Sequence, residues 1–245
     1  MARKERTPYE SDLAYIHDKG YGDFANRSAP GLLKLLRQSG ITEGRIVDLG
    51  CGSGIWARHL TDAGHRVLGV DLSPAMIEIA RARVPEGEFQ IASFLQFPLP
   101  PCRAVTALGE VFNYLFDPSN SLGALQQVCT RVFRALSRGG VFIFDVAEPG
   151  RHKGVTQRFA EGDDWACLVE IQHDLTRARL TRRIVSFRKI GDSYRRHEEI
   201  HPQQLYQGRR VARMLREIGL RVRLVRAYGD YPLFDKVVGI VARKP

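Results

Sequence analysis

Three features of the 245-residue sequence predict an α/β fold built on a parallel sheet with helices on both faces. Short apolar runs alternate with amphipathic stretches between residues 31 and 146. The first run breaks into a glycine cluster and is followed at once by a helix, and the second ends on an aspartate. Hydrophobic residues make up 44% of the chain, enough for one sizeable core and too many for a disordered or fibrous protein.

Ser28 to Ser39 places Leu32, Leu33, Leu35 and Leu36 at helical spacing and stops near Gly40. Ile46 to Leu49 is a strand entering Gly50, Gly52 and Gly54; Ile55 to Ala63 is helical and closes at Gly64. Arg66 to Val70 is a second strand ending in Asp71, after which Ser73 and Pro74 take the N-cap and first-turn positions of a helix through Arg83. Phe89 to Ile91, Ala104 to Leu108 and Val141 to Val146 give three more strands, the last two joined by a helix from about Ser121 to Leu136 that Gly139 and Gly140 stop. Past Pro149 the period changes to two: Trp165 to Gln172, Arg179 to Lys189 and Tyr194 to Ile200 alternate as in an antiparallel meander, with turns at His173-Asp174 and Gly191-Asp192. A helix from Gln207 to Ile218 ends at Gly219, and two closing strands, Arg221 to Ala227 and Lys236 to Ala242, flank Tyr228 to Pro232. With no internal repeat and no low-complexity linker, the meander reads as an insertion in one fold.

The formal charge of +10 is unevenly placed: residues 1–150 carry 16 Lys/Arg and 16 Asp/Glu, residues 151–245 carry 21 against 11. An anionic partner, a positive roof over a pocket for an acidic acceptor, and a solvated Arg-rich sheet face all fit that excess. Cys51, Cys102, Cys129 and Cys167 are scattered without metal-ligand spacing, so no metal site or disulfide framework is expected and a reduced, cytoplasmic setting is. The N-terminus is polar and no stretch approaches the ~20 apolar residues that span a bilayer, so neither secretion nor a membrane partner is expected.

The chemistry concentrates at Ile46-Val-Asp-Leu-Gly-Cys-Gly-Ser-Gly54. Glycines let the backbone turn tightly and let a ligand approach main-chain N–H groups that a Cβ would shield. A carboxylate at the end of the next strand, Asp71, can accept both hydroxyl protons of a ribose. Together they indicate an adenosine-containing cofactor across the C-terminal ends of the strands. Read from Gly50 the third dinucleotide glycine is missing, because Ile55 stands there; read from Gly52 the looser pattern runs through Ala57. Asp48 decides between cofactors, since its charge repels a pyrophosphate and suits the ammonium and sulfonium of S-adenosylmethionine. No GxxxxGK[ST] run exists.

The sequence resembles the class I S-adenosylmethionine-dependent methyltransferases of the bacterial small-molecule branch. Val47-Asp-Leu-Gly-Cys-Gly-Ser-Gly54, Gly69-Val-Asp-Leu-Ser-Pro-Ala-Met76 and Thr106-Ala-Leu-Gly-Glu-Val-Phe-Asn-Tyr-Leu115 carry the resemblance. It implies a Rossmann-like seven-stranded methyltransferase sheet with the antiparallel meander inserted over the active site. The chain then divides into a lid segment (1–30), a cofactor-binding core (31–150), a substrate-roof insertion (151–206) and a closing helix with two strands (207–245). Asp48, Gly50 and Gly52 would contact the methionine end of the cofactor, Asp71 the ribose, and Leu72 and Met76 the adenine. Ser93 and the backbone of Phe94 would also face the adenine, although the family often has an acidic residue where Ser93 stands. A further departure is Cys102-Arg103, where the family places an aromatic residue and Asp. Gly109 would lie near the transferred methyl, and Tyr15 and Tyr21 belong to a segment that either folds over the cofactor or is a packed N-terminal helix.

Methyl transfer from a sulfonium is an in-line displacement with an activated leaving group, so alignment and exclusion of water do most of the work. Glu110 is either a group that orients or deprotonates the acceptor or a solvated loop carboxylate. His201 is a base or acceptor ligand in the roof or a surface strand histidine. Asn113 and Tyr114 are the substrate candidates, and they do not form the [DN]PP[YFW] motif of adenine and glutamine methylation. His173 and His197 read as turn and exposed-face residues, and Trp165 as packing. The expected reaction transfers a methyl group to N or O of a small molecule, in a monomer or homodimer. The competing readings are an RNA or protein methyltransferase using the basic C-terminal region and a non-catalytic cofactor-binding protein.

Overall fold

A computed structural model describes residues 8–150 and 154–245. The first residues of the expected lid segment and of the expected insertion, 1–7 and 151–153, lie outside the described residues. In chain order, α1 (Ser11–Gly20) and α2 (Asp23–Gln38) precede β1 (Gly44–Leu49), α3 (Ile55–Asp62), β2 (His65–Asp71), α4 (Pro74–Arg83), β3 (Glu88–Ile91) and β4 (Cys102–Ala107). Next come α5 (Leu122–Ala135), β5 (Leu136–Ala147) and the strands of the insertion, β6 (Val155–Gly162), β7 (Trp165–Asp174), β8 (Arg179–Ile190) and β9 (Ser193–Gln204). The chain closes with α6 (Gly208–Glu217), β10 (Arg221–Val225), the short pair β11 (Ala227–Tyr228) and β12 (Tyr231–Pro232), and β13 (Val237–Arg243).

Seven strands form one sheet in the order β10-β13-β5-β4-β1-β2-β3, with β13 antiparallel to both of its neighbours and the remaining pairs parallel. The chain leaves β1 towards β2 and β3, then crosses back to β4 on the other side of β1. That reversal opens a crevice at the C-terminal ends of β1 and β4. The parallel strands are buried on both faces, so neighbouring residues serve opposite layers. Ile46, Val67, Ala104 and Ile143 pack under α2, α3 and α4, whereas Val47, Leu68, Val105 and Phe142 pack under α5 and α6. Ser73 caps α4 as expected, its Oγ accepting the Met76 N–H at 3.1 Å ahead of Pro74. The four-stranded meander β6-β7-β8-β9 lies over the crevice, with α1 beneath it: Leu13 and Ile16 pack on Trp165, Cys167 and Ile184.

Several boundaries differ from the sequence expectation. Helix α2 starts at Asp23, five residues before Ser28, because Asp23, Phe24, Ala25 and Arg27 line the crevice and so carry no core periodicity. Gly139 and Gly140 do not stop a helix; α5 ends at Ala135, and both glycines sit inside β5 where its register with β4 slips. A Cβ on Gly140 would lie 2.8 Å from the Ser137 carbonyl oxygen and 2.9 Å from that of Arg103. Strand β6 carries no period-two signal because neither of its faces is buried. His173 and Asp174 belong to β7, and the turn follows them, with Asp174 Oδ1 accepting from the Thr176 hydroxyl and the Arg177 N–H.

Helix α2 meets the β11–β12 hairpin backbone to backbone. A Cβ on Gly31 would lie 2.2 Å from the Tyr228 carbonyl oxygen, which no rotamer change relieves. Gly31→Ala is expected to lower stability by about 1–3 kcal/mol in urea unfolding, the usual cost of overpacking. An unchanged midpoint would show that the contact yields freely.

Candidate active site

A cavity of about 630 Å³ occupies the crevice, with the sheet ends as floor, α1 and α2 as one wall and the inner face of β7–β9 as roof. Its floor begins at Asp48, the penultimate residue of β1, in register with Gly69 of β2 and Thr106 of β4. The Thr106 hydroxyl donates to Asp48 Oδ1 at 2.6 Å, and the Trp56 indole N–H donates to Thr106 Oγ1 at 3.2 Å. Burial pushes the Asp48 carboxyl up to about 7, opposed by the Thr106 bond and reinforced by the charge of Asp71. The glycines do two separate jobs. A Cβ on Gly50 would lie 2.6 Å from the Val111 methyls, so this glycine admits the neighbouring loop. A Cβ on Gly52 would meet nothing within 4 Å, so this glycine leaves the cradle open to a ligand.

Asp71 is held by backbone donors. The Gly52 N–H bonds its Oδ2 and the Ser73 N–H its Oδ1, each at 2.9 Å, which fixes the carboxylate. Burial raises its pKa while those bonds oppose the shift. Leu72, Met76, Ser93 and Phe94 line the same end of the cavity. Ser93 donates its hydroxyl to Asp117 Oδ2 at 2.5 Å, so the acidic group absent from position 93 stands one side chain away. Sequence reasoning missed Asp117, which arrives from the far end of the loop after β4.

That loop turns on two left-handed residues, Gly109 (φ +88°) and Glu110 (φ +64°). Asp145, at the end of β5, holds them: it accepts the Gly109 N–H at 3.1 Å, the Glu110 N–H at 2.6 Å and the Tyr228 hydroxyl at 3.3 Å. Burial pushes Asp145 up to about 7 against these bonds. The Glu110 side chain pairs with Arg182 of β8 at 2.9 Å and accepts from Gln203 Nε2 at 3.2 Å. Arg182 also donates to the Tyr114 hydroxyl at 2.7 Å.

His201, 1% exposed, lies between Tyr9 and Phe116 with ring centroids 4.8 Å from each. Its Nε2 is 2.7 Å from Glu199 Oε2 and its Nδ1 has no hydrogen-bond partner among the described residues. Glu199 in turn accepts the backbone N–H groups of Tyr9 and Glu10 at 2.8 and 2.9 Å, tying the N-terminal segment to the roof.

Of the residues singled out from sequence, Tyr21, Asp48, Gly50, Gly52, Asp71, Leu72, Met76, Ser93, Phe94, Gly109, Glu110, Tyr114 and His201 border this cavity. Tyr15 and Asn113 do not, and both expectations are corrected. The Tyr15 hydroxyl donates to Asp164 at 2.8 Å and the Arg188 guanidinium covers its ring at 3.8 Å, on the outer side of α1. Tyr9 and His17 border the cavity from that aromatic-rich segment instead. Asn113 is fully buried; its Nδ2 donates to the carbonyls of Ala147 and Gln204, and its Oδ1 accepts the Ala147 N–H. His197 is half-buried and pairs with Glu10 at 3.1 Å. Four of the roof arginines are taken up in ion pairs away from Glu110: Arg183 and Arg196 pair with Glu198, and Arg188 and Arg195 with Asp12. Asp23, Asp48, Asp71, Glu110, Asp117 and Asp145 border the cavity against Arg27, Arg158 and Arg182, so the basic chain encloses an acidic cavity.

A reversing α/β sheet with an open glycine cradle, a ribose-competent carboxylate and a roofed cavity defines a nucleoside-cofactor enzyme. Comparison with known proteins narrows the class. A methyltransferase domain family matches residues 46–140. A Geobacillus sp. (strain WCH70) protein named as a methyltransferase is 30% identical over 237 residues, covering 87% of this chain and 89% of its own. Among solved structures, an S-adenosylmethionine-dependent methyltransferase from Clostridium acetobutylicum superposes with a TM-score of 0.80 at 19% identity, over 95% of this chain and 97% of the other. The sugar N-methyltransferase KedS8 from a Streptoalloteichus species gives 0.78 at 18% identity, over 100% and 98%. The chain belongs to the class I S-adenosylmethionine-dependent methyltransferases, enzymes for which S-adenosylmethionine is the cofactor. No helix among the described residues is long and apolar enough to cross a membrane.

In the free protein the carboxyls of Asp48 and Asp145 titrate at about 7, so they are largely protonated below that pH. A cofactor bearing ammonium and sulfonium charge favours their anionic forms. Cofactor affinity is therefore expected to rise with pH through about 7 and binding near neutrality to release protons. Calorimetry in buffers of different ionisation enthalpy reads this, and heats independent of buffer would contradict it.

Proposed function

We propose that the protein methylates a nitrogen of a small, cationic amine. The observation that carries this reading is the excess of acidic over basic side chains around a roofed cavity inside a basic chain, to which Asp48 and Asp145 add their charge above about pH 7. An acidic wall attracts an ammonium acceptor and repels phosphate-rich polymers. The ion-paired roof arginines also weigh against RNA, which needs free cations along its path.

When bound, S-adenosylmethionine supplies an activated methyl group. Asp71 accepts hydrogen bonds from its ribose, Asp48 faces its cationic end, and Gly50 and Gly52 give backbone access. Leu72, Met76 and Phe94 flank the adenine beside the Ser93–Asp117 pair, and Tyr21 closes the wall. Gly109, bare of a side chain on the cavity wall, would leave room beside the transferred methyl. Tyr9, Tyr114 and Phe116 hold the acceptor and exclude water, and Glu110, already paired with Arg182, orients it. The proton leaves through His201. A carboxylate can only accept, so Glu199 fixes the hydrogen on Nε2 and leaves the Nδ1 lone pair without a partner among the described residues.

The direct experiment measures S-adenosylhomocysteine release across amines, amino sugars, phenols and RNA. Turnover is expected with amine acceptors, and turnover confined to phenols or RNA would overturn the reading. Asp71→Ala is expected to weaken cofactor binding about tenfold or more in calorimetry. Glu199→Gln is expected to lower kcat on the order of 10²-fold, the scale of positioned proton transfer, and to shift its pH profile, with S-adenosylhomocysteine affinity unchanged.

A further inference from the structure

Behind the cofactor end of the cavity three polar side chains stand in a row. Asp48 of β1 and Thr106 of β4 are register partners, so their side chains lie side by side on the face of the sheet that carries α3. Trp56, the second residue of α3, completes the row. All three are buried, Thr106 completely. Between Ala104 and Ala107, Thr106 is the one polar residue of β4, and its neighbours on this face, Ile46, Ala104 and Ile143, are apolar. A hydroxyl buried among them is costly unless it is bonded, and both of its bonds run to polar groups of the cavity wall.

The chemistry of the row gives it a direction. An indole N–H can only donate, so Thr106 Oγ1 accepts from Trp56 and its one hydrogen is left for Asp48 Oδ1. Asp48 and Trp56 border the cavity and Thr106 does not, so whatever Thr106 does to a ligand runs through Asp48. With Oδ1 taken from behind, Asp48 has Oδ2 left for the cavity. The other titratable groups that act with this carboxyl are Asp71 of β2, whose charge opposes its ionisation, and the Cys51 thiol of the glycine loop, which burial keeps protonated. Against burial and Asp71, the Thr106 hydrogen bond is what favours the anion.

We infer that Trp56 and Thr106 are positioning residues for the methyl donor: the indole N–H fixes the direction of the Thr106 hydroxyl, and the hydroxyl holds the Asp48 carboxylate towards the cationic end of S-adenosylmethionine. This relay rests on the reading that Asp48 faces that end of the cofactor.

The test is calorimetric titration of the full chain with S-adenosylmethionine over a pH series spanning about 7. Thr106→Val keeps the branched shape and removes the hydroxyl. It is expected to weaken binding at neutral pH about tenfold and to move the rise in affinity to higher pH, because burial then raises the Asp48 carboxyl without opposition. The part of the profile due to Asp145 is common to all variants. Thr106→Ser is expected to restore both affinity and profile. Trp56→Phe is expected to act in the same direction to a smaller extent, and its combination with Thr106→Val to bind no more weakly than Thr106→Val alone, since the indole works through the hydroxyl. Additive losses overturn the relay, as does an unshifted profile in Thr106→Val or, should that variant not fold, in Trp56→Phe. Asp48→Asn separates the two levels. Weak binding by Asp48→Asn with wild-type behaviour of Thr106→Val defeats the relay alone, whereas wild-type binding by Asp48→Asn defeats the placement of Asp48 and the relay with it.

Discussion

One buried carboxylate organises the working end of the molecule. Asp145 gathers the amides of Gly109 and Glu110 and the hydroxyl of Tyr228. The amide bonds hold a left-handed turn at a residue with a side chain, a conformation that costs roughly 1–3 kcal/mol and persists only when its surroundings enforce it. The turn sets Glu110 against Arg182 and presses Val111 on Gly50, which shapes the glycine cradle. The Tyr228 bond fixes the hairpin on which α2 rests at Gly31. Three walls of the cavity thus refer to one side chain that the sequence motif does not include.

The two ends of the cavity are built by different means. At the cofactor end the contacts that hold Asp71 come from the two adjoining βα loops, Gly52 and Ser73, and longer bonds such as Thr106 to Asp48 and Ser93 to Asp117 are added to them. At the acceptor end nearly every contact joins distant segments, as Tyr9 meets Glu199, Arg182 meets Glu110, and Tyr114 meets Arg182. Charge follows the same division. The excess of arginine in the last third of the chain is spent on ion pairs along the roof, while the cavity stays acidic.

This division explains what the sequence reveals. The glycine loop, Asp71, the Ser73 cap and the order of strands are legible because each depends on neighbours within a turn or a strand. Asp145 and Asp117 are invisible because a lone carboxylate after an apolar strand or in a loop carries no periodic signal. Tyr15 and Asn113 were misplaced for a related reason: spacing says which residues are near the crevice but not which way they point. Tyr9 stands six residues before Tyr15, and contacts with distant segments turn it inward: its amide donates to Glu199, its carbonyl accepts the Ser73 hydroxyl, and its ring meets Phe116 and His201. Strand β6 escaped because a ribbon wet on both faces has no pattern to read.

Asn113 has a consequence beyond its own position. Its amide bonds Ala147, where the chain leaves the core, and Gln204, where it comes back. The roots of the meander are therefore riveted to the core by a residue that belongs to neither root, whatever the intervening strands contain. Such a splice makes the roof exchangeable: the residues on its inner face can be rewritten while the sheet and the glycine cradle beneath it stay as they are.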